Sequence, residues 1–209
     1  MHIHLKDIGK RYNQEWIFRK VNFDFSSNNA YAILGANGSG KSTLLQLITG
    51  SMISSEGTIT YTSETFTIEA EKIFRSVSIA SPYLELIEEF TLNEMLTFHS
   101  KFKPFINNLS CTDIISLMCL EKSKNKELKY FSSGMKQRVR LALAILSDTA
   151  ILLLDEPISN LDKAGIDWYA QLINSYTNNR ITIVCSNQQI HEYAFCKEQL
   201  NIEDYKFNN

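Results

Sequence analysis

The chain has 209 residues, 44% hydrophobic and 21% charged, with a formal net charge of -2 at pH 7. Such proportions fit an ordinary globular domain with material for one sizeable core, and the slight acidity excludes a general attraction to nucleic acid or anionic membrane. The start, Met1-His2-Ile3-His4-Leu5-Lys6-Asp7, lacks an apolar secretory core, and no run reaches the roughly 18 apolar residues of a membrane span, so a cytosolic chain is expected.

Along the chain, Ile3 to Ile8, Trp16 to Phe25 and Thr58 to Thr62 carry alternating or β-rich residues, which predicts an N-terminal antiparallel β lobe. The cluster Ser26-Ser27-Asn28-Asn29 marks a turn. Ala30 to Leu34, Val77 to Ala80, Ile151 to Leu154 and Ile181 to Cys185 are short and apolar at nearly every position, as parallel strands buried on both faces are. Thr91 to Phe102 and Thr112 to Leu120 read as helices separated by Pro104 and Asn107-Asn108. Cys111, Cys119, Cys185 and Cys196 form no Cys-x-x-Cys pair, and their surroundings suggest buried reduced thiols rather than metal ligands or disulfides.

The segment Gly35-Ala36-Asn37-Gly38-Ser39-Gly40-Lys41-Ser42 fits the phosphate-binding loop pattern at every required position. Its glycines let the backbone wrap closely around phosphate oxygens. Tyr31 to Leu34 supplies the strand before it, and Thr43 to Ile48 a helical run ending near Gly50, so the loop feeds a helix N-terminus whose amides favour an anion. Lys41 would meet the β- and γ-phosphates of ATP, and the Ser42 hydroxyl would help coordinate Mg2+. A glycine-rich turn before an ordinary helix is the alternative.

A second constellation is Ile151-Leu152-Leu153-Leu154-Asp155-Glu156-Pro157, in which a buried strand delivers two acids at its carboxyl end, where ligands of such sheets usually sit. Asp155 would hold the magnesium through its water shell, and Glu156 would polarise the water attacking the γ-phosphate.

The third piece, Phe131-Ser132-Ser133-Gly134-Met135-Lys136-Gln137-Arg138 before the helix ending Leu141 to Leu146, closely resembles the signature motif of ATP-binding-cassette (ABC) ATPases. Ser159-Asn160-Leu161-Asp162 resembles that family's D-loop, and the motifs together span almost the whole chain in the family's order. The resemblance implies an α/β fold: a P-loop NTPase core of the RecA-like type with a parallel sheet, an N-terminal antiparallel β subdomain and an inserted α-helical subdomain. Residues 1–80 and 141–209 would form the β lobe and nucleotide core, and 84–140 the helical insertion carrying the signature. It also implies a head-to-tail pair of protomers, with Ser132, Ser133, Gly134 and Met135 acting in trans and Asp162 in the D-loop. Thr43 would complete the phosphate loop, and Tyr12 falls where the family places an aromatic that stacks on adenine, against the alternative of a core or surface tyrosine.

Two positions depart from the family. Where it normally carries a histidine on the γ-phosphate, this chain reads Ser186-Asn187, and an asparagine amide can donate and accept but cannot carry charge or exchange a proton near neutral pH. Slowed but not abolished hydrolysis is expected. Where the family has a glutamine that senses magnesium, the chain reads Ser81-Pro82-Tyr83, so a hydroxyl or a water takes over the contact or the coupling is built differently. Glu85, Glu88, Glu89 and Glu94, interleaved with Leu86, Ile87, Phe90 and Leu92, read either as a solvated helix face or as the surface that receives a cytoplasmic helix of a membrane-embedded partner.

The expected function is therefore the ATPase subunit of an ABC-type membrane transporter, cytoplasmic and held at the inner face of the membrane by a separate multi-span permease, with a second ATPase protomer, identical or not. No nucleic-acid partner is expected. The alternatives are a soluble ABC ATPase acting on ribosome or DNA, whose relatives usually carry tandem domains or a long insertion, and a low-turnover ATP-binding regulatory subunit. The short stretch after Cys196 is expected to hold no further regulatory domain.

Overall fold

The computed structural model describes residues 1–63 and 66–206; the last three residues of the expected 141–209 segment, and two residues within 1–80, lie outside them. β1 (His2–Tyr12), β2 (Glu15–Ser26), β3 (Ala30–Leu34), β4 (Glu56–Thr62), β5 (Thr67–Ile68), β6 (Val77–Ala80), β7 (Ile151–Asp155), β8 (Ile181–Ser186) and β9 (Glu198–Asn201) form two sheets. The first, in the order β2-β1-β4-β5, is antiparallel. Alternation decides its inner face, so that Ile3, Leu5 and Ile8 of β1 are fully buried. The second, β6-β7-β8-β3-β9, is parallel throughout. All four apolar runs read as parallel strands lie in it.

The helices are α1 (Lys41–Ile48), α2 (Leu92–Ser100), α3 (Cys111–Leu117), α4 (Ser133–Ile145), α5 (Lys163–Tyr176) and α6 (Ile190–Tyr193). α2 and α3 start where side chains satisfy their orphan amides, through capping boxes of Thr91 with Glu94 and Ser110 with Asp113. The parallel sheet separates two cores because its residues alternate faces. Ile151 and Leu153 of β7 join a core with α1 and the β lobe. Leu152 and Leu154 join the other, built from α2 through α5. Each buried Leu or Ile contributes about 1.5–3 kcal/mol relative to exposure, so both layers clamp the sheet whose carboxyl edge carries the motifs.

Two readings need amendment, and two elements went unread. Residues 84–90 are irregular turns rather than a helix face, and only Glu94 of the four acids lies on a helix, where it caps α2. β9 is an edge strand whose Glu-Gln-Leu-Asn sequence carries little β signal, with Leu200 alone buried. α5 was legible in the spacing Ile166, Tyr169, Leu172, Ile173 and Tyr176. The four cysteines are free thiols, as expected, but Cys119 is exposed and only Cys185 is fully buried.

Two basic side chains, buried Arg180 and half-buried His99, lock the far end of α4. Arg180 donates to Ile145 O at 2.5 Å, Ser147 O at 3.1 Å and Tyr176 O at 2.6 Å, tying the C-termini of α4 and α5 together. His99 stacks on Phe105 with centroids 5.5 Å apart, and its Nε2 lies 2.8 Å from Ser147 Oγ. Since Ser147 Oγ donates to Leu143 O, it accepts from His99, which fixes the neutral tautomer with the proton on Nε2. Burial, assisted by Lys103, pushes the His99 imidazole down to about 4. The unfolded chain then binds a proton near pH 6.5 that the folded chain refuses, so this contribution to stability is complete above 6.5 and is lost as pH falls from 6.5 toward 4. Urea denaturation followed by circular dichroism should show a steeper loss of stability between pH 7 and 4.5 in the wild type than in His99→Gln.

Candidate functional site

The phosphate loop leaves β3 at Leu34 and enters α1 at Lys41, so its position is set by the centre of the sheet. Gly40, at φ 104°, is the N-cap residue of α1; a Cβ there would stand 2.6 Å from Ile17 and 2.9 Å from Phe18 of β2. No side chain caps α1 and its first turn has no acid, so its orphan amides face the loop. Gly38, at φ 76°, is the loop's open point, where an added Cβ would meet nothing within 4 Å. Lys41 is 4% exposed, and its Nζ donates to Gly35 O at 2.9 Å and Ala36 O at 3.1 Å. Ser39 Oγ is buried without a hydrogen-bond partner among the described residues. The outer leg is held from the C-terminal segment: Ala36 N donates to Glu203 Oε1 at 2.8 Å.

The acids come from the end of β7, two strands along the sheet from β3. Leu34 pairs with Ser186 of β8, and Cys185 of β8 pairs with Asp155 of β7, so three strand ends arrive together. Ser42 Oγ donates to Asp155 Oδ2 at 2.8 Å, joining the phosphate loop to the acidic strand. Ser81 Oγ reaches the same oxygen at 3.3 Å. Ser81 stands where the family's glutamine is missing, and its hydroxyl contact is with Asp155. Burial pushes the Asp155 carboxyl above its ordinary value, opposed by the Ser42 and Ser81 hydroxyls and by Lys41. Glu156 follows with φ 46°, the left-handed region, its N–H donating to Cys185 O at 3.0 Å. A third acid, not picked out from sequence, lies behind them: Glu192 of α6 is 1% exposed and accepts from Ile158 N at 3.4 Å. Burial, opposed by hydrogen bonds from the Ser186 side chain and the Ile158 amide and reinforced by the charges of Glu156 and Asp155, pushes Glu192 up to about 7. Position 192 carried no sequence signal, being a glutamate between His191 and Tyr193.

Asn187 is exposed immediately beyond β8, beside the loop and the acids, and His191 is exposed on α6. Tyr12 ends β1, 47% exposed, its ring 5.4 Å from Lys10 Nζ and its hydroxyl 3.5 Å from Met52 Sδ. Because Ile17 and Phe18 pack on Gly40, this hairpin end is tied to the loop. Ser132 caps α4, its Oγ accepting from Met135 N at 3.3 Å, and both Ser132 and Ser133 are exposed. Among the described residues no hydrogen bond joins Ser132 to Met135 with the phosphate loop of the same chain. Gly134 instead lies against the D-loop, where a Cβ would be 3.0 Å from Asn160 O. Asp162 caps α5, its Oδ1 accepting from Gly165 N at 2.8 Å.

A divalent ion fits the donors present. The Ser42 hydroxyl and Asp155 carboxylate are hard oxygen donors already converging on one point, and no cluster of three His, Cys, Asp or Glu side chains suited to a metal occurs among the described residues. Mg2+ suits such a site, because it is usually bound by one or two protein oxygens together with water and phosphate.

The family described as ABC transporter matches residues 18–159. The ABC transporter ATP-binding protein YcbN of Bacillus subtilis (strain 168) is 29% identical over 163 residues, 78% of this chain and 53% of that protein, so the chain spans about half of YcbN. The lantibiotic transport ATP-binding protein SrtF of Streptococcus pyogenes is 28% identical over 193 residues, 90% of this chain and 80% of that protein. A dimeric ATP-binding cassette solved in a post-hydrolysis state with ADP and Pi superposes with a TM-score of 0.78 at 22% identity, over 96% of this chain and 95% of that one, a likeness of fold.

Ser81→Ala removes one of the two hydroxyls on Asp155. Calorimetric titration should show the gain in ATP affinity on adding Mg2+ shrinking by roughly fivefold, as for a lost hydrogen bond to a charged group, with metal-free ATP binding unchanged.

Proposed function

The chain belongs to the ABC transporter family, and from that membership we propose that it is the ATP-binding and ATP-hydrolysing subunit of a membrane transporter, working as one of two paired protomers. The observation that carries this reading is the meeting, at one edge of the sheet, of Lys41 and Ser42 at the start of α1 with Asp155 and Glu156 at the end of β7. Glycine-lined amides from Gly35 to Thr43 cradle the phosphates and Lys41 meets their charge. Ser42 and Asp155 would hold Mg2+, which neutralises phosphate charge when bound. Glu156 orients the attacking water, and Asn187 donates its amide to a γ-phosphate oxygen without exchanging a proton. Tyr12 stacks on adenine.

Phosphoryl transfer needs little covalent chemistry from the protein, so positioning and charge supply the catalysis. The exposed N-terminus of α4, with Ser132, Ser133, Gly134 and Met135, is free to meet the ATP held by a second protomer, and Asp162 stiffens the D-loop between them. ATP then holds the pair closed until its γ-phosphate is released. The dimeric cassette of similar fold supports the arrangement.

A separate membrane-spanning subunit would dock beside the site. No helix among the described residues is long and apolar enough to cross a membrane. A groove of about 270 Å³ between the end of β6, α2 and α4 is lined by Leu84, Leu86, Met95, Phe102, Arg140 and Leu143 and suits an amphipathic helix. Tyr83 and Phe102, 80% and 72% exposed, flank it. Association with the inner face of the membrane would follow from that contact alone.

Replacing Glu156 with Gln should lower ATP turnover by about 10²-fold or more and yield an ATP-dependent dimer on size-exclusion chromatography; a monomer that still releases phosphate at the wild-type rate contradicts the reading. Affinity isolation from detergent-solubilised membranes should recover a multi-span protein, whereas ribosomes or DNA would place the chain elsewhere. In steady-state assays Asn187→His should turn over faster than wild type and Asn187→Ala slower; three equal rates would remove Asn187 from the site.

A further inference from the structure

Glu156 is held in a conformation that side-chain-bearing residues seldom adopt, at φ 46°, and such a residue persists only where its surroundings over-determine it. Four hydrogen bonds around residues 156–158 do so. Glu156 N donates to Cys185 O at 3.0 Å, and Ser159 N donates to Glu156 O at 3.1 Å. Gln137 Nε2, from α4, donates to Pro157 O at 2.8 Å. Glu192 Oε1, from α6, accepts from Ile158 N at 3.4 Å.

The last two come from side chains that are each only 1% exposed. Their second polar atoms, Gln137 Oε1 and Glu192 Oε2, are buried with no hydrogen-bond partner among the described residues. A buried polar atom without a partner is costly, and an apolar residue of similar size would pack there without that cost. For Gln137 what the side chain does with its other atom is therefore the reason for its polarity, while the Glu192 carboxyl is held by the Ile158 amide and also favoured by the Ser186 side chain. Both grips are themselves braced: Gln137 lies within α4, five residues beyond its cap Ser132, while Tyr169 Oη donates to Glu192 O at 2.9 Å.

We propose that Gln137 and Glu192 are positioning residues for Glu156, gripping the Pro157–Ile158 peptide from two different helices. The inference rests on the hydrolytic role proposed for Glu156. One grip belongs to the helix whose N-terminus faces the partner protomer, and the other to the helix that follows Asn187. A shift of either helix is thus passed to the acid through one peptide unit, and the phosphate loop plays no part in it.

Hydrogen exchange read by mass spectrometry on the purified chain tests the grip directly, alongside ATPase kinetics. In Gln137→Met and in Glu192→Ala, amide exchange within residues 156–161 should accelerate roughly tenfold while the β1–β2 hairpin exchanges as in wild type. The kcat should fall about tenfold with KM for ATP within about twofold. Glu192→Gln, which keeps an acceptor oxygen, should restore most of both. Unchanged exchange at 156–161 in both variants overturns the proposal, as does acceleration spread over the whole chain or a loss confined to KM. If Glu192→Ala fails to fold, Gln137→Met decides. A wild type that binds but never hydrolyses ATP would sink the role given to Glu156, and the exchange result would still show whether the grip exists.

Discussion

The bond between the Ser42 hydroxyl and the Asp155 carboxylate, at 2.8 Å, joins residues 113 apart in sequence. It can form only if β3 and β7 end at the same level, with β8 between them in register. That register depends on the two apolar layers flanking the sheet, since a slip of one strand would move its side chains away from their partners. The fold is in this sense a device for bringing a loop of amides and a buried acid to one edge. Ser81, arriving from β6, adds a second hydroxyl to the same acid and extends the constraint to a fourth strand.

Burying acids at this edge has an energetic cost, visible in the upward push on Asp155 at the end of β7 and on Glu192 of α6. Glu156 adds backbone strain, worth on the order of 1–3 kcal/mol for such a conformation. These costs gather within a few residues, and the surrounding structure is correspondingly rigid: apolar on both faces, tied at the far end by Arg180, and braced near the acids by Gln137 and Tyr169. Local strain at one edge is tolerated because the strands beneath it are paired in register and buried on both faces.

Much of this was readable in the sequence. The phosphate loop and the Asp155-Glu156 pair are contiguous motifs whose residue types follow from the ligand chemistry, and the four apolar runs betrayed a sheet buried on both sides. Ser81 was visible only as a missing glutamine; its contact with Asp155 depends on strand adjacency, which pattern alone does not fix. Gln137 sat inside the quoted signature segment, yet its bond to Pro157 O joins two elements through the fold. Glu192 and Glu203 carry no motif at all, since the meaning of the first comes from its burial beside the Ile158 amide and that of the exposed second from its contact with the Ala36 amide. Of the two readings of Glu85 to Glu89, the helix face fails because Pro82 and the turns after it leave α2 to start at the Thr91 cap.

The central claim is that a working site is assembled from two chains, the phosphate loop of one and the signature helix of the other. Mixing two separately defective variants, Lys41→Ala and Ser132→Arg, and measuring phosphate release tests it most directly. Each alone should be nearly inactive. If the site is shared, mixed pairs contain one intact combination of loop and signature, and activity returns on mixing. A mixture as inactive as its two components would contradict the account.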